Sequence, residues 1–184
     1  FKMKKLKAIY VHGYKGEMFG NSFNLLKKYL ENSIISLEYS LDYNYKNLGD
    51  AVKLLEKTVK EHNIDIIIST SLGSFISMSA NVPGTFKAII NPCLDPVNEI
   101  PKLDPNTDID RFSYFAKELE FENNMNCIGF FAIEDELFGD KFENKFFSIT
   151  HGANIVHIDG GHSISKEGAA EVASILKTIF NFHE

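Results

Sequence analysis

Cysteine is scarce in this chain: Cys93 and Cys127 are the only two in 184 residues. Neither a disulfide framework nor a Cys-x-x-Cys metal motif can be built from them. Long apolar runs are missing too, and nothing approaches the ~20 residues of a membrane span. The apolar stretch behind the Lys-rich start stops at His12, short of the ~7–15 residues of a secretory h-region. No Pro-rich or Gly/Ser-rich linker and no repeated unit interrupts the chain. Positive charge is not in excess either, with 19 Lys and Arg against 25 Asp and Glu, a net of −6. The only basic cluster, Lys2, Lys4, Lys5 and Lys7, reads as a solvated tail, which argues against nucleic acid as a partner. These absences point to one cytoplasmic domain over residues 1–184 with no membrane partner; they leave the oligomeric state open.

What is present is a hydrophobic fraction of 44%, enough for a real core. Short apolar runs predict strands at 7–11, 34–37, 64–69, 86–90, 127–133 and 154–158. Runs such as Ile66-Ile67-Ile68 and Phe130-Phe131-Ala132-Ile133 are apolar at consecutive positions, so both faces of the sheet should be covered. Between the runs, apolar residues recur three or four apart: Phe23, Leu26, Leu30; Val52, Leu55, Val59; Val172, Ile175, Leu176, Ile179. This spacing predicts amphipathic helices, with starts at Asn21 or Ser22, at Asn47 and at Ser165. The alternation implies an α/β fold, a three-layer sandwich with a six-stranded, mostly parallel sheet.

Residues 91–126 break the pattern. Pro92, Pro96, Pro101 and Pro105 are expected to prevent a regular helix in its first half. Helical spacing returns at Phe112, Phe115 and Leu119. A connection this long predicts a modest lid-like insertion over the active-site edge.

The residues with chemistry lie just after the predicted strands, where open α/β sheets place their binding crevices. Ser69-Thr70-Ser71-Leu72-Gly73 is a nucleophile elbow, G-x-S-x-G with its first glycine replaced by serine. Such a turn lifts the Ser71 hydroxyl above the sheet, and the following helix start points the Leu72 amide at a developing oxyanion. A plainer reading makes Ser71 a helix N-cap. The His12-Gly13-Tyr14 segment after the first strand offers the Tyr14 amide as a second oxyanion donor, with His12 itself structural. His162, behind Gly160-Gly161, supplies the imidazole that a serine nucleophile needs. The acid that orients it falls among Glu134, Asp135, Glu136 and Asp140, of which Asp135 is preferred, although spacing separates the four poorly. His157, Asp159 and His162 do not form a convincing metal set, because His157 on its strand faces away from the loop. Phe19 and Phe138 are expected to line an apolar acyl pocket.

Together these pieces resemble the α/β-hydrolases, and within them the small bacterial esterases of the YqiA type. The matching segments are Tyr10-Val11-His12-Gly13-Tyr14, Ser69-Thr70-Ser71-Leu72-Gly73, Asn91-Pro92, Glu134-Asp135-Glu136-Leu137 and Gly160-Gly161-His162. Similar esterases usually carry glycine where this chain has Ser69, and often also where it has Ser74. The resemblance implies sheet order 2-1-3-4-5-6 and a serine hydrolase of the carboxylesterase type. Small-molecule esters or thioesters would be cleaved through an acyl-enzyme on a catalytic triad of Ser71, His162 and Asp135, with no cofactor. The rival expectation is a hydrolase-like domain that binds a ligand or protein without catalysis. A nucleotide-binding sheet is disfavoured, since no G-x-G-x-x-G follows the first strand.

Overall fold

A computed structural model describes residues 4–44, 46–108, 110–113 and 118–181. Lys2 of the basic cluster and Phe115 lie outside the described residues. The apolar runs become six strands: β1 (Leu6–Val11), β2 (Ile35–Ser40), β3 (Ile66–Thr70), β4 (Phe86–Ile90), β5 (Cys127–Ala132) and β6 (Ile155–Ile158). They form one sheet in the order β2-β1-β3-β4-β5-β6, and all five pairings are parallel. The edge strand β2 runs beyond its predicted end, through Glu38 and Tyr39 to Ser40. Its register slips between Ala8 and Ile9 of β1, so that Glu38 has no opposite number.

Alternation along each strand divides the core into two layers. Ala8, Tyr10, Ile66, Ile68, Ala88, Ile90 and Phe130 face α1 (Asn21–Leu30) and α7 (Lys166–Phe180). Ile9, Val11, Ile67, Ile89 and Phe131 face the other side, beneath α2 (Leu48–His62) and α3 (Leu72–Ser79). The predicted helical stripes face the core: Phe23, Leu26 and Leu30 on α1, Val52, Leu55 and Val59 on α2, and Val172 and Leu176 on α7 are buried, while Ile175 and Ile179 on α7 are only partly so. Each such side chain contributes about 1.5–3 kcal/mol through removal from water. Asn47 and Ser165 cap α2 and α7 through their side chains. Neither Asn21 nor Ser22 caps α1; its cap position is Gly20, which has no side chain to offer.

Two sequence expectations change here. The prolines after β4 do not prevent a helix: α4 spans Pro96–Leu103. Pro96 occupies the first helical position, where the missing N–H costs nothing. Pro101 falls in the last turn, and the helix ends two residues later. The second change is α6 (Glu143–Ile149), which pattern reading did not find; only Phe146 is buried along its seven residues, too short a stretch for a period to show. The connection between β4 and β5 also holds α5 (Asp110–Ser113) and a 3₁₀ turn at Phe121–Asn124. That connection is tied to the sheet by Lys87, a buried ammonium on β4. It donates to the carbonyls of Ala80 (2.8 Å) and Asn123 (2.7 Å), while burial pushes its pKa down to about 7.

Gly73, in the first turn of α3, lies against the end of β1. A Cβ there would sit 2.2 Å from the Val11 carbonyl oxygen and 2.4 Å from that of His12. Backbone cannot yield as a flexible side chain can. Gly73→Ala should therefore cost about 3 kcal/mol or more, read from the urea unfolding midpoint against wild type.

Candidate active site

The elbow forms because the chain leaves β3 and enters α3 without an intervening loop. Ser71 takes the strain, with φ 52° and ψ −119°, a left-handed conformation for a residue bearing a Cβ. Such a geometry costs of order 1–3 kcal/mol and persists only where its surroundings impose it. The Ser71 N–H donates to the Ile90 carbonyl (3.1 Å), and its own carbonyl accepts from Cys93 (3.1 Å) and Ser74 (3.0 Å). The hydroxyl makes no cap bond to α3. It lies 2.9 Å from His162 Nε2 instead.

Ser69 and Ser74, where similar esterases carry glycine, are both fully buried under this turn. Their hydroxyls are 3.1 Å apart, and Ser74 Oγ donates to the Ile90 carbonyl (3.3 Å). With Ser69 donating to Ser74, both hydroxyls are satisfied, and the added bulk stays below the elbow.

His162 follows β6 through Gly160, whose φ of +104° requires glycine. Its Nδ1 is 3.0 Å from Asp135 Oδ2. Asp135 is 8% exposed, and its second oxygen accepts from the Leu137 and Phe138 amides, each at 2.9 Å. Burial alone would raise this carboxyl. The bond from His162 and the two amide bonds outweigh it and hold Asp135 below the usual carboxylate range. Of the four acids left open by spacing, Asp135 is the one hydrogen-bonded to the imidazole ring. Glu136 accepts instead from the His162 backbone N–H (3.0 Å).

The His12-Gly13-Tyr14 segment runs beside the elbow. A Cβ on Gly13 would be 3.2 Å from Ser71 Cβ and 3.8 Å from its Oγ, so this backbone passes close to the elbow. Three contacts fix it. The His12 ring stacks on Tyr43 at 4.5 Å, its Nδ1 is 2.7 Å from the Gly13 carbonyl oxygen, and the Tyr43 hydroxyl donates to the His12 carbonyl at 2.6 Å. The Tyr14 hydroxyl donates to Asp104 (2.9 Å), just past α4. Lys15 pairs with the same carboxylate at 2.7 Å.

A cavity of about 510 Å³ opens at Ser71 and His162. Gly13, Tyr14, Asn21, Ser22, Ile100, Leu103, Leu137 and Ile164 are among its walls. Phe19 and Phe138, expected there, do not line it. The Phe138 ring is buried, and it packs perpendicular to the His162 ring with centroids 4.8 Å apart. Phe19 packs edge-on against Phe23, with 55% of its surface exposed. The apolar wall comes instead from Ile100 and Leu103 on α4, a helix that the prolines had concealed, and from Leu137. Asn91 was also missed as a contact of His162, because the two are 71 positions apart and no local pattern joins them. Among the described residues, no group of three or more His, Cys, Asp or Glu is placed to hold a metal ion, and no helix is long and apolar enough to cross a membrane. His157 pairs with Glu143 at 2.9 Å.

The sheet order, the helices on both faces and the elbow between β3 and α3 define an α/β-hydrolase fold. The chain belongs to the uncharacterised protein family UPF0227, whose model matches residues 7–136. Comparison with curated proteins gives no match. Among solved structures it is similar to Est1E from Butyrivibrio proteoclasticus, with a TM-score of 0.74 at 15% identity, covering 98% of this chain and 89% of that one. The esterase domain of a Rhodothermus marinus protein superposes with a TM-score of 0.72 at 16% identity, covering 97% and 87%. RedJ, a thioesterase from the prodiginine pathway of Streptomyces coelicolor, does so at 0.67 and 10% identity, covering 94% and 89%. At these identities the likeness shows the fold.

The depressed Asp135 carboxyl has a consequence for acid stability. Its contribution is in place above the unfolded aspartate value, ~3.9, and is lost as pH falls through the lower folded value. Wild type should lose more stability than Asp135→Asn between about pH 5.5 and about pH 3, measured as urea midpoints at each pH.

Proposed function

We propose that this protein is a serine hydrolase that cleaves small esters or thioesters through an acyl-enzyme. One observation carries the reading: the unbroken chain of hydrogen bonds from Ser71 Oγ to His162 to Asp135, at 2.9 and 3.0 Å. In the first half-reaction Ser71 Oγ bonds to the substrate carbonyl carbon while its proton passes to His162 Nε2. The bond to the leaving oxygen or sulfur then breaks, and the leaving group takes that proton. Water, deprotonated by the same imidazole, attacks the acyl-enzyme, which releases the acid and restores Ser71. Asp135 keeps the ring in the productive tautomer and stabilises it when charged.

The negative oxygen formed in each half needs donors fixed before the reaction starts. The Leu72 amide, at the start of α3, and the Tyr14 amide, on the segment beside Ser71, are suited to that role. Neither step calls for a cofactor. Residues 91–126 serve as a modest lid over a single domain, with Ile100 and Leu103 of α4 bounding the acyl side. A cavity of about 510 Å³ favours short or aryl esters over long acyl chains.

Hydrolysis of p-nitrophenyl esters of graded chain length, with fluorophosphonate labelling in parallel, tests this reading. Wild type should take up one label and show kcat/KM that is highest for short chains. Ser71→Ala should lose the label and about 10⁴-fold or more in kcat. No hydrolysis at any length would overturn the assignment in favour of a binding domain, and a label retained in Ser71→Ala would overturn the nucleophile.

A further inference from the structure

Ser71 and His162 come from segments 91 positions apart, yet their separation is 2.9 Å. Something must fix both backbones to one reference. The turn after β4 touches each of them. On one side, the Ile90 carbonyl accepts from the Ser71 N–H, and the Cys93 N–H donates to the Ser71 carbonyl, both at 3.1 Å. On the other side stands Asn91, 2% exposed and left-handed at φ 42°.

The side chain of Asn91 is used at both ends. Its Nδ2 donates to the carbonyl oxygens of His162 (2.9 Å) and Gly161 (3.4 Å). Its Oδ1 accepts from the Ala132 N–H at 2.8 Å, at the last residue of β5. The β4–β5 ladder runs through the Asn91 N–H, which donates to Phe130, and then the chain turns away. The side-chain amide therefore continues the ladder by one rung and spans from β5 to the loop that carries the imidazole. Glu136 Oε2 holds the His162 N–H from the opposite side. The backbone of His162 is thus gripped at its donor by Glu136 and at its acceptor by Asn91.

We infer that Asn91 is a positioning residue: it sets the distance between Ser71 Oγ and His162 Nε2 by tying the His162 backbone to the same β4 turn that holds the Ser71 backbone. The inference rests on the serine hydrolase reading. Asparagine suits the position on two counts, since it tolerates left-handed backbone and presents a donor and an acceptor on one short planar group. Aspartate keeps the shape and the acceptor for Ala132 but loses both donors and sets a carboxylate oxygen against the His162 carbonyl. Serine keeps neither the reach nor the second group.

The test compares wild type, Asn91→Asp and Asn91→Ser, each checked for cooperative unfolding, by ester hydrolysis and by NMR of the His162 imidazole. The expected result in a folded variant is a kcat lower by about 10- to 100-fold with KM changed less than about twofold. Displaced His162 ring resonances and correspondingly slower fluorophosphonate labelling of Ser71 should accompany it. Wild-type kcat and unmoved His162 resonances in either folded variant would overturn the inference. If wild type neither hydrolyses nor labels, the hydrolase reading fails. The His162 resonances still decide whether Asn91 positions the ring.

Discussion

The contact between Gly73 and the end of β1 carries consequences out of proportion to its size. Because no Cβ intervenes, the first turn of α3 lies directly on the Val11 and His12 carbonyls. That places the elbow directly beside the His12-Gly13-Tyr14 segment, and Ser71, Gly13 and Tyr14 line the same cavity. The strain at Ser71, imposed by the direct passage from β3 into α3, sits two residues before this close approach. A looser junction would let φ relax out of the left-handed region and move the hydroxyl off the imidazole. The Ser71 N–H bond to the Ile90 carbonyl and the bonds that the Cys93 and Ser74 amides donate to the Ser71 carbonyl resist that relaxation.

Around this junction most buried polar groups are answered, although His12 Nε2 and the Ser77 hydroxyl have no hydrogen-bond partner among the described residues. Asp135 gives one oxygen to His162 and the other to two amides. Its charge is stabilised by directed donors, which is why hydrogen bonding outweighs burial at this carboxyl. Lys87 shows the opposite balance on the same sheet. Carbonyl oxygens receive its ammonium, yet burial dominates and the group is drawn toward neutrality. The sheet thus bears an acid held charged at one end of β5 and a base pushed toward its neutral form at the start of β4.

Much of this was legible from residue order alone. Consecutive apolar positions at Ile66-Ile67-Ile68 signalled a strand covered on both faces, and the stripes at Phe23, Leu26, Leu30 and at Val172, Leu176 marked the buried faces of α1 and α7. The elbow, the acid loop and Gly160-Gly161-His162 were legible because each sits directly behind a strand, where chemistry on such sheets collects. What escaped detection depends on contacts between distant segments. Asn91 meets His162, and Tyr14 meets Asp104 across 90 positions. Proline was over-weighted as a breaker: at the first position and in the last turn of α4 it does little harm, and the helix so formed supplies Ile100 and Leu103 to the cavity. The aromatic wall expected from Phe19 and Phe138 failed for a different reason. Sequence proximity to the mouth says nothing about the direction of a ring, and the Phe138 ring is buried against the His162 imidazole.

The paired serines beneath the elbow make exchange with glycine dependent on order. Losing Ser69 first leaves Ser74 bonded to the Ile90 carbonyl, a tolerable intermediate. Losing Ser74 first strands the Ser69 hydroxyl in a dry interior, where an orphaned polar group costs about 1–3 kcal/mol. Sequences with glycine at both positions and sequences with serine at both are therefore linked by one easy path and one steep one.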